Sequence, residues 1–178
     1  MRRLIARLSI LLFVALLLVG CSSSDSNSNN RTVNSVKDFS IYLIKDLTVT
    51  EAMGKNLNDL PLEEKPMLTD KEITKYNWKE HTFTLQESFS LEEKLEGKVS
   101  LSGRPFVVVV GSDRVYLGSF WNYFSSAYNP VIPTISSSWF KSNNKDTYTI
   151  SYITTKKDPR DDIRIYESLK GLGKIIDE

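Results

Sequence analysis

Few side chains in this sequence could do covalent or metal chemistry, and they lie far apart in the chain. His81 is the only histidine and Cys21 the only cysteine among the 178 residues. A lone histidine is more typical of a hydrogen-bonded structural residue than of a metal ligand, which usually has partners. None of the serines lies in the Gly-x-Ser-x-Gly pattern of a nucleophile elbow. The sequence therefore predicts no catalytic residue, no metal site and no cofactor.

Paired carboxylates are the other candidates, because two acidic groups can serve a glycosidase or a cation site. The adjacent pairs that invite this interpretation are Glu63 and Glu64, Glu92 and Glu93, and Asp161 and Asp162. Neighbouring side chains point apart in a strand and diverge on a helix, so adjacency alone forms no site. The second and third pairs are explained as favourable negative charge in the first turn of a helix.

The residues that precede Cys21 have the pattern of an export signal. Arg2, Arg3 and Arg7 precede an apolar run over residues 8–19, which is the layout of a secretory signal peptide. That run has about a dozen residues, short of the ~20 that a membrane-spanning helix needs. The four residues LVGC that end at Cys21 resemble the bacterial lipobox. The resemblance implies a signal peptide over residues 1–20 and a diacylglycerol on the Cys21 thiol; a membrane-spanning anchor is the alternative.

Two acyl chains would hold the protein on the extracytoplasmic face of the cell membrane. The lipidated cysteine begins a linker over residues 21–30, and its SSSDSNSNN stretch has no apolar side chain. Such a composition predicts a flexible tether, with a reach of about 15 to 20 Å. Without the three arginines of the signal peptide, 20 Lys and Arg face 22 Asp and Glu, a net charge of about −2. This balance argues against a nucleic-acid partner, which requires a basic stripe.

The remaining residues, 31–178, are enough for a single domain. Four segments have strand patterns. Residues 38–46 are rich in β-branched and aromatic residues, and residues 104–119 contain a continuous apolar run and a Gly-Ser-Asp turn that predict a buried hairpin. Residues 78–86 and 147–154 alternate apolar and polar side chains, which indicates half-exposed strands.

Helix signals are shorter. Thr69 and Ser90 are each followed by glutamate three residues later, which predicts two short capped helices. Asp158 and Pro159 predict the start of a C-terminal helix whose apolar positions are Ile163, Tyr166, Leu169 and Leu172. The expected class is α+β, with a mainly antiparallel sheet, a few short helices and a C-terminal helix.

The most unusual segment is residues 116–128, in which six of the thirteen side chains are aromatic. A loop cannot easily bury them all, and exposed rings give a large contact area at small entropic cost. The predicted binding residues are Trp121, Tyr123, Phe124 and Tyr128. Packing of the whole segment onto the sheet is the alternative.

Two stretches, PLEEKPMLTDKEITKYNWKEHTFTL and SGRPFVVVVGSDRVYLGSFWNYFSS, resemble small domains of uncharacterised function in lipoproteins of spore-forming Gram-positive bacteria. The resemblance implies a lipoprotein and carries no activity. The leading hypothesis is a non-enzymatic, membrane-anchored module that contacts an envelope protein or another envelope component through the aromatic segment. A small-ligand-binding or sensing lipoprotein is the alternative, and an envelope hydrolase a third.

Overall fold

The computed structural model describes residues 36–139 and 146–176, which belong to one compact unit. The predicted signal peptide, Cys21 and the predicted linker lie outside the described residues. In the described part of the chain, nine strands form one sheet in the order β2-β1-β5-β6-β7-β8-β4-β3-β9. They are β1 Phe39–Leu43, β2 Leu68–Thr69, β3 Ile73–Asn77, β4 Thr82–Leu85, β5 Arg104–Val110, β6 Asp113–Asn122, β7 Thr134–Ser137, β8 Thr147–Ser151 and β9 Ile175–Ile176.

Three α-helices accompany the sheet in the described part of the chain: α1 Val49–Met53, α2 Leu91–Leu95 and α3 Ile163–Gly171. None of these helices is long and apolar enough to cross a membrane. The sheet is mixed, since β6 pairs with β7 and β3 with β9 in parallel while the other recorded pairings are antiparallel. The predicted combination of one sheet with a few helices is confirmed, whereas the sheet is mixed rather than purely antiparallel. The parallel pairings involve β7 and β9, short strands that have no clear pattern in the sequence.

The hairpin of β5 and β6 is the centre of the fold, as predicted. β5 lies between β1 and β6, and its side chains alternate between two apolar clusters. Phe106, Val108 and Val110 enter the larger cluster, whereas Val107 and Val109 enter a smaller one. Burial on both faces explains the continuous apolar run, because no side of this strand meets water.

The alternating strands are also confirmed. In β4, Phe83 and Leu85 are buried, and in β8 Tyr148 and Ile150 are buried while the residues between them are exposed. The two strands pair antiparallel, and the rings of Phe83 and Tyr148 stack with centroids 5.5 Å apart. Such a cross-strand aromatic pair stabilises the pairing by roughly 0.5 to 1 kcal/mol.

The predicted helix at Thr69 is wrong, although its capping contacts exist. The backbone N–H and the hydroxyl of Thr69 both donate to the Glu72 carboxylate, at 2.7 and 2.6 Å. They close a single turn between β2 and β3, because Ile73 and Tyr76 are buried in the sheet and hold the following residues extended. Burial of two large side chains outweighs a local cap of about 1 kcal/mol.

The other two helix predictions are closer. Ser90 caps α2 as predicted, accepting from the backbone N–H of Glu93 at 3.3 Å. Asp158 and Pro159 begin a short 3-10 turn rather than the C-terminal helix, which starts after its own cap at Asp162. In this helix Ile165 and the predicted Leu169 are buried, whereas the predicted Ile163 is exposed.

Gly118 offers a test of the packing at the centre of the sheet. It lies opposite Phe106, and a Cβ at this position would lie 2.4 Å from two ring atoms of Phe106. We expect Gly118→Ala to lower the free energy of unfolding in urea by about 1 to 3 kcal/mol through overpacking. Gly54→Ala is the matched control, since its nearest atom is 3.5 Å away. Equal effects of the two changes would contradict this account.

Candidate binding surface

The predicted aromatic segment is divided between the sheet and a loop. β6 continues to Asn122, paired with β5 on one side and with β7 on the other. Trp121 is therefore a strand residue, 7% exposed, and its indole lies beneath Gly103. Its carbonyl accepts a hydrogen bond from Trp139 Nε1 at 2.9 Å. The structure thus places Trp121 in the interior, apart from the other three predicted binding residues.

Tyr123, Phe124 and Tyr128 lie on the loop of residues 123–133, which connects β6 to β7 and is called the aromatic loop below. These three side chains are 60, 69 and 99% exposed. Leu101 is held beside the loop, because its carbonyl accepts from the Ser125 hydroxyl at 2.6 Å. Leu101 and Val131 are also more than half exposed. The described residues therefore include an aromatic and aliphatic surface that the core does not use.

Local hydrogen bonds give the aromatic loop a defined shape. The Asn122 side-chain oxygen accepts from the Phe124 N–H at 3.1 Å, and the Asn122 carbonyl accepts from the Ser125 N–H at 3.0 Å. The Ser125 hydroxyl in turn accepts from the Ala127 N–H at 3.2 Å. Short polar side chains that bond nearby backbone groups favour such turns over helix or sheet. The exposed rings are thus carried by an ordered turn fixed at the end of a core strand.

A buried polar network lies beneath the start of the loop. Ser137 is the register partner of Asn122 in β7, and it donates to the Glu92 carboxylate at 2.5 Å. Tyr148 donates to the other oxygen of Glu92, also at 2.5 Å. Burial, together with this hydrogen bond, raises the pKa of Tyr148. Burying a carboxylate is costly unless it is hydrogen-bonded, so the two hydroxyls fix α2 against the sheet.

This role of Glu92 was missed in the sequence. The residue does lie in the first turn of α2, as predicted, but it is 1% exposed and faces the core. Near Glu92 in the sequence, only the apolar residue Leu91 hints at burial. The two hydroxyls that bond the Glu92 carboxylate lie 45 and 56 residues away in the chain. Pairing over such distances cannot be read from periodicity.

A polar cleft of about 250 Å³ is lined in part by residues 100, 102 and 103. Its charged lining residues are Asp46, Glu51, Lys98 and Arg104, and its hydroxyls come from Thr48, Ser100 and Ser102. Ser100 and Ser102 are hydrogen-bonded to each other at 2.9 Å. Because Leu101 of the same turn contacts the aromatic loop, the cleft and the aromatic loop adjoin a common backbone segment.

Some charged side chains of the cleft form hydrogen bonds or ion pairs, and others form no ion pair. Glu51 accepts from the backbone N–H and the hydroxyl of Thr48, each at 2.8 Å, and these bonds lower the pKa of Glu51. Arg104 pairs with Glu63 at 3.0 Å. Among the described residues, Asp46 and Lys98 form no ion pair. The two are left to interact with water or with a ligand.

His81 lies in the turn before β4 and is buried, as expected for a hydrogen-bonded structural histidine. Its Nε2 is 3.3 Å from Asp161, and its Nδ1 is 3.3 Å from the hydroxyl of Tyr76. This arrangement fits the neutral ring, with the proton on Nε2 and Tyr76 as a donor to Nδ1. Burial lowers the pKa of His81, Arg160 lowers it further, and Asp158 and Asp161 oppose the shift.

His81, Asp158 and Asp161 place three ligand atoms within 4.8 Å of one another, a spacing that could hold a metal ion. Arg160, however, donates to both oxygens of Asp158, at 2.9 Å from Nε and 2.5 Å from Nη2. A divalent cation would have to displace this guanidinium and lie beside its positive charge. The donor set therefore fits an ion-pair network better than a cation site.

No protein-family model matches this chain, and the comparisons with curated proteins and with solved structures give no match.

The interior position of Trp121 leads to a prediction. We expect Trp121→Ala to lower the free energy of unfolding by about 3 to 5 kcal/mol, because it empties the space beneath Gly103. Tyr128→Ala, at a fully exposed ring, is the control and should change stability by less than about 0.5 kcal/mol. Urea denaturation of both variants is the measurement. A loss no larger for Trp121→Ala than for Tyr128→Ala would show that Trp121 is not a core residue.

The lowered pKa of His81 predicts a pH dependence of stability. The unfolded chain takes up a proton near pH 6.5, whereas the folded chain resists protonation until lower pH. The contribution of neutral His81 to the free energy of unfolding is therefore present above pH 6.5 and is lost as the pH falls below 6.5. We expect His81→Asn to reduce the fall in unfolding free energy between pH 7.5 and about 5. Asparagine tolerates the positive φ of 49° at this position. Parallel pH profiles of unfolding free energy would refute the prediction.

Proposed function

We propose that this protein is a non-enzymatic module, anchored by a lipid on the extracytoplasmic face of the cell membrane, that binds an envelope component through the aromatic loop. The single observation that carries the binding role is the exposure of Tyr123, Phe124 and Tyr128 on an ordered turn. Rigid rings held in place lose little entropy on binding, and such residues dominate the energetics of many interfaces. The lipid anchor rests on the likeness of the residues around Cys21 to a lipobox.

The aromatic loop lies far from Lys37, which is near the first described residue. The described chain begins at Val36, and Lys37 lies over Gly111 and pairs with Asp113 at 2.8 Å, at the start of β6. The aromatic loop follows the other end of the same strand, at Asn122. At about 3.3 Å per residue, β6 separates the two ends by roughly 30 Å. Lys37 and the aromatic loop therefore lie at opposite ends of β6.

The buried titratable groups also favour binding over catalysis. Glu92 is engaged by Ser137 and Tyr148, and His81 by Tyr76 and Asp161. These contacts hold secondary structure elements together. The polar cleft supports a second candidate function, capture of a small ligand, because Asp46 and Lys98 line it without ion-pair partners among the described residues.

Crosslinking on intact cells tests the proposal. The lipidated protein is compared with a Tyr123→Ala, Phe124→Ala, Tyr128→Ala variant, which leaves Trp121 in the core. We expect this variant to reduce the captured envelope component about tenfold or more, since aromatic hot-spot residues contribute ~2 kcal/mol or more each.

The matched control replaces two exposed apolar residues away from the aromatic loop, Met53→Ala and Ile163→Ala. Melting curves establish that both variants are folded. Capture that falls equally in the control, or that is unchanged in the aromatic variant, would reject the aromatic loop as the binding surface.

A further inference from the structure

We infer that the envelope component is a glycan, a chain of pyranose sugars with little net charge, bound across the aromatic loop and the polar cleft. The inference rests on the proposed function and names the ligand class for that surface. Three observations support the glycan inference: the small size of the exposed apolar surface, the alternation of aromatic rings with hydroxyl and amide side chains, and the balanced charges of the adjoining cleft.

The exposed apolar surface is small. Around the aromatic loop, five large apolar side chains in the described residues are more than half exposed: Leu101, Tyr123, Phe124, Tyr128 and Val131. Five side chains grouped around one loop suit a narrow ligand that lies along that loop.

The composition of the loop suits a ligand with one apolar face and a polar edge. Phe124 and Tyr128 are separated by Ser125, Ser126 and Ala127, and Asn129 follows. A pyranose ring presents C–H groups on its faces, which pack on aromatic rings, and hydroxyls around its edge, which exchange hydrogen bonds with serine and asparagine. An uninterrupted apolar strip would suit an acyl chain or a hydrophobic peptide better.

The polar cleft extends the surface to more than one sugar unit. Ser125 bonds the Leu101 carbonyl at 2.6 Å, and Ser100 and Ser102 on the same turn line the cleft. Its volume of about 250 Å³ lies below the ~300 to 1,000 Å³ typical of drug-sized pockets, so it accepts only a terminal unit of a longer ligand. The remaining units would then lie along the aromatic loop.

The charges of the cleft argue for a ligand with little net charge. Two cations, Lys98 and Arg104, face two carboxylates, Asp46 and Glu51. Their sum is near zero, and Arg104 and Glu51 are already engaged. A polyanion such as a polyphosphate chain would find no excess of positive charge to bind it. Hydroxyl and amide groups of a neutral sugar can instead bond both signs of charge.

The experiment uses purified lipidated protein in detergent micelles, with chitotetraose as the soluble glycan probe and polyphosphate as the anionic probe. We expect chitotetraose binding in titration calorimetry and no binding of polyphosphate. Phe124→Ala should weaken chitotetraose binding about tenfold or more, whereas Phe124→Tyr, which keeps the ring, should retain it. Lys98→Ala should have a smaller effect, and the Met53→Ala, Ile163→Ala control should have none.

The outcomes separate the inference from the proposed function. Absence of chitotetraose binding, or binding that Phe124→Ala leaves unchanged, overturns the glycan inference. If the cell crosslinking experiment then still captures a protein in a manner that depends on the aromatic loop, the proposed function stands with a protein partner. Preferential binding of polyphosphate would overturn the inference in favour of an anionic polymer. If neither experiment depends on the aromatic loop, both proposals fail.

Discussion

The fold depends on the burial of β5 on both of its faces. Five consecutive apolar residues, Phe106 to Val110, supply side chains alternately to the two clusters, and each buried side chain of this kind contributes roughly 1.5 to 3 kcal/mol. A strand of this type requires cover on both sides. On the smaller side the cover includes Ala52 of α1 together with Leu60, and on the larger side it includes α2, α3 and the outer strands.

The position of the aromatic loop depends on β5. β5 sets the register of β6, which carries Phe120 into the core and ends at Asn122, where the aromatic loop begins. The network of Glu92, Ser137 and Tyr148 then joins α2, β7 and β8 just beneath that point. A carboxylate that must keep both hydrogen-bond donors restricts the movement of three elements at once, so the exposed rings project from a rigid part of the sheet.

Elements with a strong local pattern could be predicted. The apolar run of β5, the alternation of β4 and β8 and the Ser90 cap of α2 were all recognised, because each depends on residues a few positions apart. The Thr69 cap misled for the same reason: its local bonds exist, but pairing of Ile73 and Tyr76 in β3 determines the backbone that follows. For the aromatic segment, composition alone did not separate buried from exposed rings, because the interior position of Trp121 depends on where β6 ends.

The sequence by itself determined the positions of the strongest strands and led to the prediction of a lipid anchor at Cys21. It left open whether the aromatic side chains after Asn122 are exposed or packed on the sheet. Only the tertiary structure decided that Trp121 is internal, that Glu92 is held by two distant hydroxyls, and that the sheet is mixed. The physical reason is the range of the interactions. Periodicity and caps report contacts within one or two turns, whereas the partners of Glu92 and Trp121 meet only after the sheet has formed.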